Sequence, residues 1–360
     1  MAVTRGTWVV LGAGVLVTAL FVVRRAPADA SSAYAPARDD EVLAQVMPRV
    51  ADAGSSPEAA AEQAKQLIIA SRKNGGDPRL LGRAQAVLAP WWNEAAPPHA
   101  VRLMRATLKQ SQHDFEGSLA DLDALVKEDP SDAQAWLTRA TVLQVLARYD
   151  EAMQSCGALV PLVSDETSTV CRAPLLALTG KADEALQAVS QFHAPWALSV
   201  KGELLRWRGD EAGAQEVLKK ALSADPDDSY TRLLLAESLR VSGKSSEVAA
   251  LYSGRALNDA ELLAVVLAQN GAASTERTEL AERMKASRAR GETLHRREEA
   301  RYALMVEGDA AKALELAVEN WKVQHEAADA QVLMEAAKAA GDEKAAAPAV
   351  EWVKKTGVKL

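Results

Sequence analysis

Aromatic residues are scarce in this 360-residue chain, at 4% overall and with only three phenylalanines. Strands favour aromatic and β-branched side chains, so the shortage, set beside abundant alanine, argues against a β-rich fold and for closely packed helices. Strand-like alternation is essentially absent outside the N-terminus. There are two cysteines, and no cysteine or histidine cluster that would complete a zinc site. The five histidines are His99, His113, His193, His295 and His325. None stands in a His-Glu-x-x-His pattern, since His325-Glu326 is followed by Ala328 and Asp329. A phosphate-binding glycine loop ending in Lys-Ser/Thr is missing, and so is a Gly-x-Ser-x-Gly elbow. Gly12 and Gly14 lie inside an apolar run and cannot open a nucleotide-binding helix. These absences point away from an enzyme, and no cofactor or metal is expected.

Excess positive charge is lacking too. The net charge is −7, and Arg5, Arg24 and Arg25 give the first 25 residues +3, leaving −10 for the rest. A domain this acidic is a poor binder of phosphate backbones, so no nucleic acid is expected as partner. The charged stretch Glu282–Arg301 mixes both signs and reads as a wet helix face. His113-Asp114 reads as a solvated turn or a helix start.

The one long apolar run is Trp8–Val23, with Arg5 before it and Arg24-Arg25 after it. Residues 1–25 therefore read as a signal or anchor segment. A basic start, an apolar centre and the small-x-small site Ala28-Asp29-Ala30 fit a secretory signal. As a membrane anchor, residues 8–23 fall somewhat short of a span of about 20 residues. The arginines directly after the run favour an uncleaved N-terminal hydrophobic helix, with the following domain periplasmic or otherwise extracytoplasmic. Cleavage near Ala30 and a cytoplasm-facing domain stay open, because basic residues flank both sides. Residues 26–57, rich in Ala, Pro, Ser and Asp, read as a linker.

From residue 58 to 360 a 34-residue period takes over. Met104-Arg105-Ala106-Thr107 recurs as Thr138-Arg139-Ala140-Thr141, and Phe115 aligns with Tyr149. Asp129-Pro130 closes one unit and Asp225-Pro226 another, because proline cannot continue a helix and Ser or Asp caps the next one. Gly202 aligns with Ala236, and Gly209 with Gly243. The clearest units are 99–132, 133–166, 195–228 and 229–262. Weaker ones are 166–194, 294–326 and 327–360. Residues 58–98 form an atypical hairpin, and 263–293 are helical without the signature. Pro174 and Pro348 should each kink or interrupt a helix.

This spacing, with Trp136 early, Ala140 four residues on, Gly before a small-residue helix and a closing Asp-Pro, resembles the tetratricopeptide repeat. The resemblance covers about two-thirds of the chain. It implies an all-α, right-handed superhelical solenoid of antiparallel helical hairpins. It also implies a protein-protein interaction scaffold that binds a peptide or protein segment in its concave groove. First helices would line that groove, and equivalent residues would stack as ladders: Thr107 with Thr141, Gln110 with Gln144, Trp196 with Tyr230, Glu203 with Glu237, and Arg206 with Arg240, with Trp207 beside the last pair. Aromatic and arginine residues are enriched at binding hot spots. Equally, Glu203–Arg206 and Glu237–Arg240 are spaced to form simple intrahelical ion pairs. The carboxylate clamp of chaperone-binding members is not matched. Leu103, Leu137, Ser199 and Leu233 stand where it needs Lys, and Thr107, Thr141, Glu203 and Glu237 where it needs Asn.

The register also places Cys156 in one helix and Cys171 in the next, equidistant from a turn near Val163-Ser164. Facing side chains at this spacing allow a disulfide. Two buried thiols are the other reading. An oxidising compartment would favour the bond.

Overall fold

The computed structural model describes residues 56–73, 77–289 and 295–360, together with two short strands, β1 (Val10–Leu11) and β2 (Leu16–Val17), paired antiparallel. The rest of the expected N-terminal helix and the linker 26–55 lie outside the described residues. Among the described residues no helix is long and apolar enough to cross a membrane.

The described helices pair into nine antiparallel hairpins. The first three are α1 (Pro57–Lys73) with α2 (Pro78–Val87), α3 (His99–Ser111) with α4 (Phe115–Glu128), and α5 (Ala133–Val145) with α6 (Tyr149–Ala158). Next come α7 (Asp165–Leu178) with α8 (Ala182–Ala188), α9 (Pro195–Trp207) with α10 (Glu211–Ala224), and α11 (Ser229–Val241) with α12 (Ser245–Tyr252). The last are α13 (Asp259–Ala268) with α14 (Thr275–Ala289), α15 (Arg296–Tyr302) with α16 (Ala310–Trp321), and α17 (Ala327–Ala340) with α18 (Ala347–Thr356). Each first helix touches the first helix of the next hairpin, which is the stacking of a TPR-like array.

Local chemistry sets these boundaries. Asp114, Asp132, Asp210, Asp228 and Asp309 each cap a helix by accepting a bond from the backbone N–H three residues on. The turn inside a hairpin needs one left-handed residue. Glycine supplies it at Gly180, Gly209, Gly243 and Gly308, but His113 (φ 59°) and Ala147 (φ 57°) hold the equivalent position without that freedom. Between α9 and α10, a Cβ on Gly202 would lie 2.5 Å from Leu218, so the small residue there is dictated by contact.

Two sequence expectations change. Pro174 does lie inside α7, but Pro348 sits in the first turn of α18, after a 3-10 turn at Glu343–Ala346, where its missing N–H costs nothing. Residues 263–293 lack the repeat signature, yet α13 and α14 make an ordinary hairpin, opened by a capping box between Asn258 and Glu261.

Candidate functional site

The array does not stay open. Its last hairpin returns to the third and fifth. The backbone N–H of His325 donates to the Val145 carbonyl at 2.8 Å, and that of Lys359 to the Trp207 carbonyl at 2.9 Å. Trp352 Nε1 donates to the Tyr149 hydroxyl at 2.7 Å. Trp321 meets Trp352 edge-to-face at 6.1 Å, and both belong to one buried cluster that includes Leu143, Tyr149 and Leu178.

Between the returning hairpin and the inner helices lies a chamber of about 380 Å³. First helices supply most of its wall: Arg72 from α1, Gln110 from α3, Gln144 from α5, Leu178 from α7, Glu203, Arg206 and Trp207 from α9, and Tyr230 from α11. The returning part supplies Arg297, Glu298, His325, Glu326 and Trp352.

The chamber is rich in charge held away from water. Burial pushes the Glu203 carboxyl up to about 8, and the neighbouring Glu326 carboxylate adds to this against the pull of its Tyr230 hydrogen bond. Tyr230 donates to Glu203 Oε1 at 2.7 Å, while Glu203 Oε2 is buried with no partner. Burial also raises Glu326, outweighing its bond to Arg297. Glu298 goes the other way. Burial would raise it, but the adjacent Arg297 holds it at about 2. His113 is lowered to about 4 by burial and by Arg297 facing it across the chamber, and its ring stacks on Phe115 at 5.4 Å. His325 is lowered by burial, and its Nδ1 has no partner.

Of the ladder residues read from the sequence, Gln110, Gln144, Glu203, Arg206, Trp207 and Tyr230 come together here. The others do not line the chamber. Thr107 is buried and, like Thr141, bonds back to a carbonyl of its own helix, those of Leu103 and Leu137. Trp196 packs between hairpins against Leu137 and Leu159. Arg240 makes the intrahelical pair with Glu237 at 2.8 Å, and Arg301 reaches the same carboxylate at 3.1 Å. Burial would raise Glu237, but Arg301 and Arg240 together hold it low. Glu203 and Arg206, by contrast, do not pair with each other: Arg206 bonds Glu211 at 3.3 Å.

Sequence reasoning missed Arg72, His113, Arg297, Glu298 and Glu326. The stretch Glu282–Arg301 is not uniformly a wet helix face, because Arg297 and Glu298 turn into the chamber and Arg301 bonds Glu237. His113 is half-buried rather than solvated, while Asp114 does cap a helix. The alternation of Arg297, Glu298 and Arg301 along a short helix was the available signal.

Away from the chamber, Cys156 and Cys171 are joined by a disulfide, with their Cα atoms 5.7 Å apart. It ties α6 to α7. Among the described residues no group of three or more His, Cys, Asp or Glu is placed to hold a metal ion.

No family model matches the chain, and no curated protein does. Solved structures similar to it include a tetratricopeptide repeat protein from Parabacteroides merdae ATCC 43184, at 14% identity and TM-score 0.40, covering 76% of this chain and 99% of that one. The APC/C hetero-tetramer Cut9-Hcn1 matches at 16% identity and TM-score 0.40, over 84% of this chain and 65% of that one. The human IFIT1 dimer with m7Gppp-AAAA matches at 12% identity and TM-score 0.42, over 85% and 91%. At these scores the likeness carries no argument about what this chain binds.

Proposed function

We propose that the chain is a non-enzymatic protein-protein interaction scaffold whose inner helices hold a peptide or protein segment of a partner, to assist assembly or regulation of a complex. One observation carries the reading: Gln110, Gln144, Glu203, Arg206, Trp207 and Tyr230, from four successive or near-successive first helices, converge on one chamber. Convergent polar groups beside aromatic faces are what a recognition site requires. The apolar run Trp8–Val23 supports a membrane tether, and the Cys156–Cys171 disulfide supports the extracytoplasmic side of a bacterial-type envelope. The alternative, a cytoplasm-facing adaptor, is tested by reporter fusions at the C-terminus.

Proximity labelling with the full chain in its native cell tests the scaffold. A partner enriched by the wild type should be lost with Arg206→Ala. Equal enrichment by both would sink this reading. A second reading, chemistry inside the chamber, is favoured by the two buried carboxyls Glu203 and Glu326, both raised and close enough to act on each other. Turnover of a small molecule that disappears in Glu203→Gln would establish it in place of the scaffold.

A further inference from the structure

The charges lining the chamber do not all have partners, and the exceptions point one way. Arg297 bonds Glu326 at 3.0 Å, Glu298 at 3.2 Å and Asp329 at 3.4 Å. Arg206 bonds Glu211. Arg72, in the last turn of α1, lines the same chamber and makes no hydrogen bond or ion pair among the described residues. Loss of water brings its guanidinium down to about 10, and no carboxylate among the described residues opposes the change. A guanidinium carries five donors and no acceptor, and withdrawing it from water unpaired costs free energy. An anion beside it removes that cost and can take two parallel bonds from the same group.

The acidic side chains of the chamber do not fill this role. Glu298 and Glu326 are held by Arg297. Glu203 is occupied at one oxygen by Tyr230, and its other oxygen is buried without a partner. Since burial keeps this carboxyl protonated near neutral pH, that oxygen is able to donate to an incoming acceptor. Trp207 and Trp352 give the chamber apolar faces, and its volume of about 380 Å³ falls in the range of small-molecule sites.

We propose that the chamber binds a small organic anion, a carboxylate or a phosphate ester, whose charge is taken by Arg72 and whose carbon skeleton lies against Trp207 and Trp352. The proposal does not rest on the scaffold reading, since it concerns a soluble ligand rather than a protein partner.

Calorimetric titration of the purified full chain at pH 7 and constant ionic strength tests it, with inorganic phosphate and succinate as probes and chloride as the control. At least one probe should bind saturably and raise the melting temperature. Phosphate alone would mark a phosphate ester, and succinate alone a carboxylate. Arg72→Gln should weaken binding about tenfold or more, the equivalent of about 1.4 kcal/mol, and Arg72→Lys should retain part of it. Without anion, Arg72→Gln should melt no lower than the wild type, because Arg72 has no partner among the described residues to lose. Binding of neither probe, equal binding by Arg72→Gln, or a marked fall in its melting temperature without anion would each overturn the proposal. None of these readouts depends on the partner enrichment that tests the scaffold.

Discussion

The Trp352 indole N–H donates to the Tyr149 hydroxyl across 203 positions of sequence. Both side chains are buried, and burial pushes the Tyr149 phenol up to about 12. The bond fastens the ninth hairpin to the third and so closes one wall of the chamber. Trp352→Phe keeps most of the ring packing but strands the Tyr149 hydroxyl. A buried hydroxyl left without a partner costs about 1–3 kcal/mol. Chemical denaturation should show a loss of that size, and adding Tyr149→Phe should recover part of it. Independent, additive losses in the two variants would mean that the bond contributes nothing.

Stability should fall on the alkaline side, and Glu203 should be a cause. Its folded pKa, about 8, lies above the ordinary carboxylate value of 4.5. Folding therefore takes up a proton, and the contribution is fully present below about pH 4.5 and lost as pH rises through about 8. Glu203→Gln replaces the acid with a permanent neutral isostere. Its unfolding free energy should drop less between pH 5 and pH 9 than that of the wild type, by an amount on the order of 4 kcal/mol. Parallel profiles would show that the carboxyl is not desolvated as described. Glu298 works in the opposite sense. Held at about 2, it supplies stability above the ordinary carboxylate range that is lost as pH falls through about 2.

The disulfide spans 15 positions. Closing a loop of that size in the unfolded chain is worth about 3 kcal/mol in the chain-entropy model. The double substitution Cys156→Ala with Cys171→Ala should lower the denaturation midpoint accordingly. Reductant should lower the wild-type midpoint and leave the double variant where it was. Two free thiols in the mass of the unreduced protein would remove the basis of this expectation.

Two backbone positions should respond in opposite directions. Gly202→Ala places a methyl group against Leu218 where the helices of the fifth hairpin touch, and should destabilise by about 1–3 kcal/mol. Ala147→Gly relieves a left-handed alanine in the turn of the third hairpin and should stabilise by about 0.5–1 kcal/mol. Melting curves of the two variants measured together would check both signs.

These two sites also show how far the sequence could be read. Gly202 stood 34 residues from Ala236, and a small residue at that place in the repeat forecast close helix packing. Ala147 stood 34 residues from His113, both where other hairpins carry glycine, but neither residue type announces a left-handed turn. The inner ladder of Gln110, Gln144, Glu203, Arg206 and Tyr230 followed from the same register, because periodicity reports which residues share a face. It did not report that Trp196 packs between hairpins or that Arg301 comes to share the Glu237 carboxylate with Arg240. Those outcomes depend on neighbours beyond a single repeat unit. Arg72 stayed hidden because its hairpin lacks the repeat signature, although α1 stacks on α3. Arg297 meets the ladder across the chamber that the returning ninth hairpin closes, and nothing local in Trp352, His325 or Lys359 encodes that return.

The bond from the Lys359 backbone to the Trp207 carbonyl has a thermodynamic meaning beyond geometry. In a linear repeat array each unit feels only its neighbours, so the ends unravel first and stability declines toward them. Here the last units are fastened to the middle of the stack. The C-terminal end cannot fray without also uncovering α9. Cooperativity that a solenoid normally loses with length is thereby restored, and the ninth hairpin becomes a keystone whose removal is felt in the exchange rates of α9 amides, far from it in sequence.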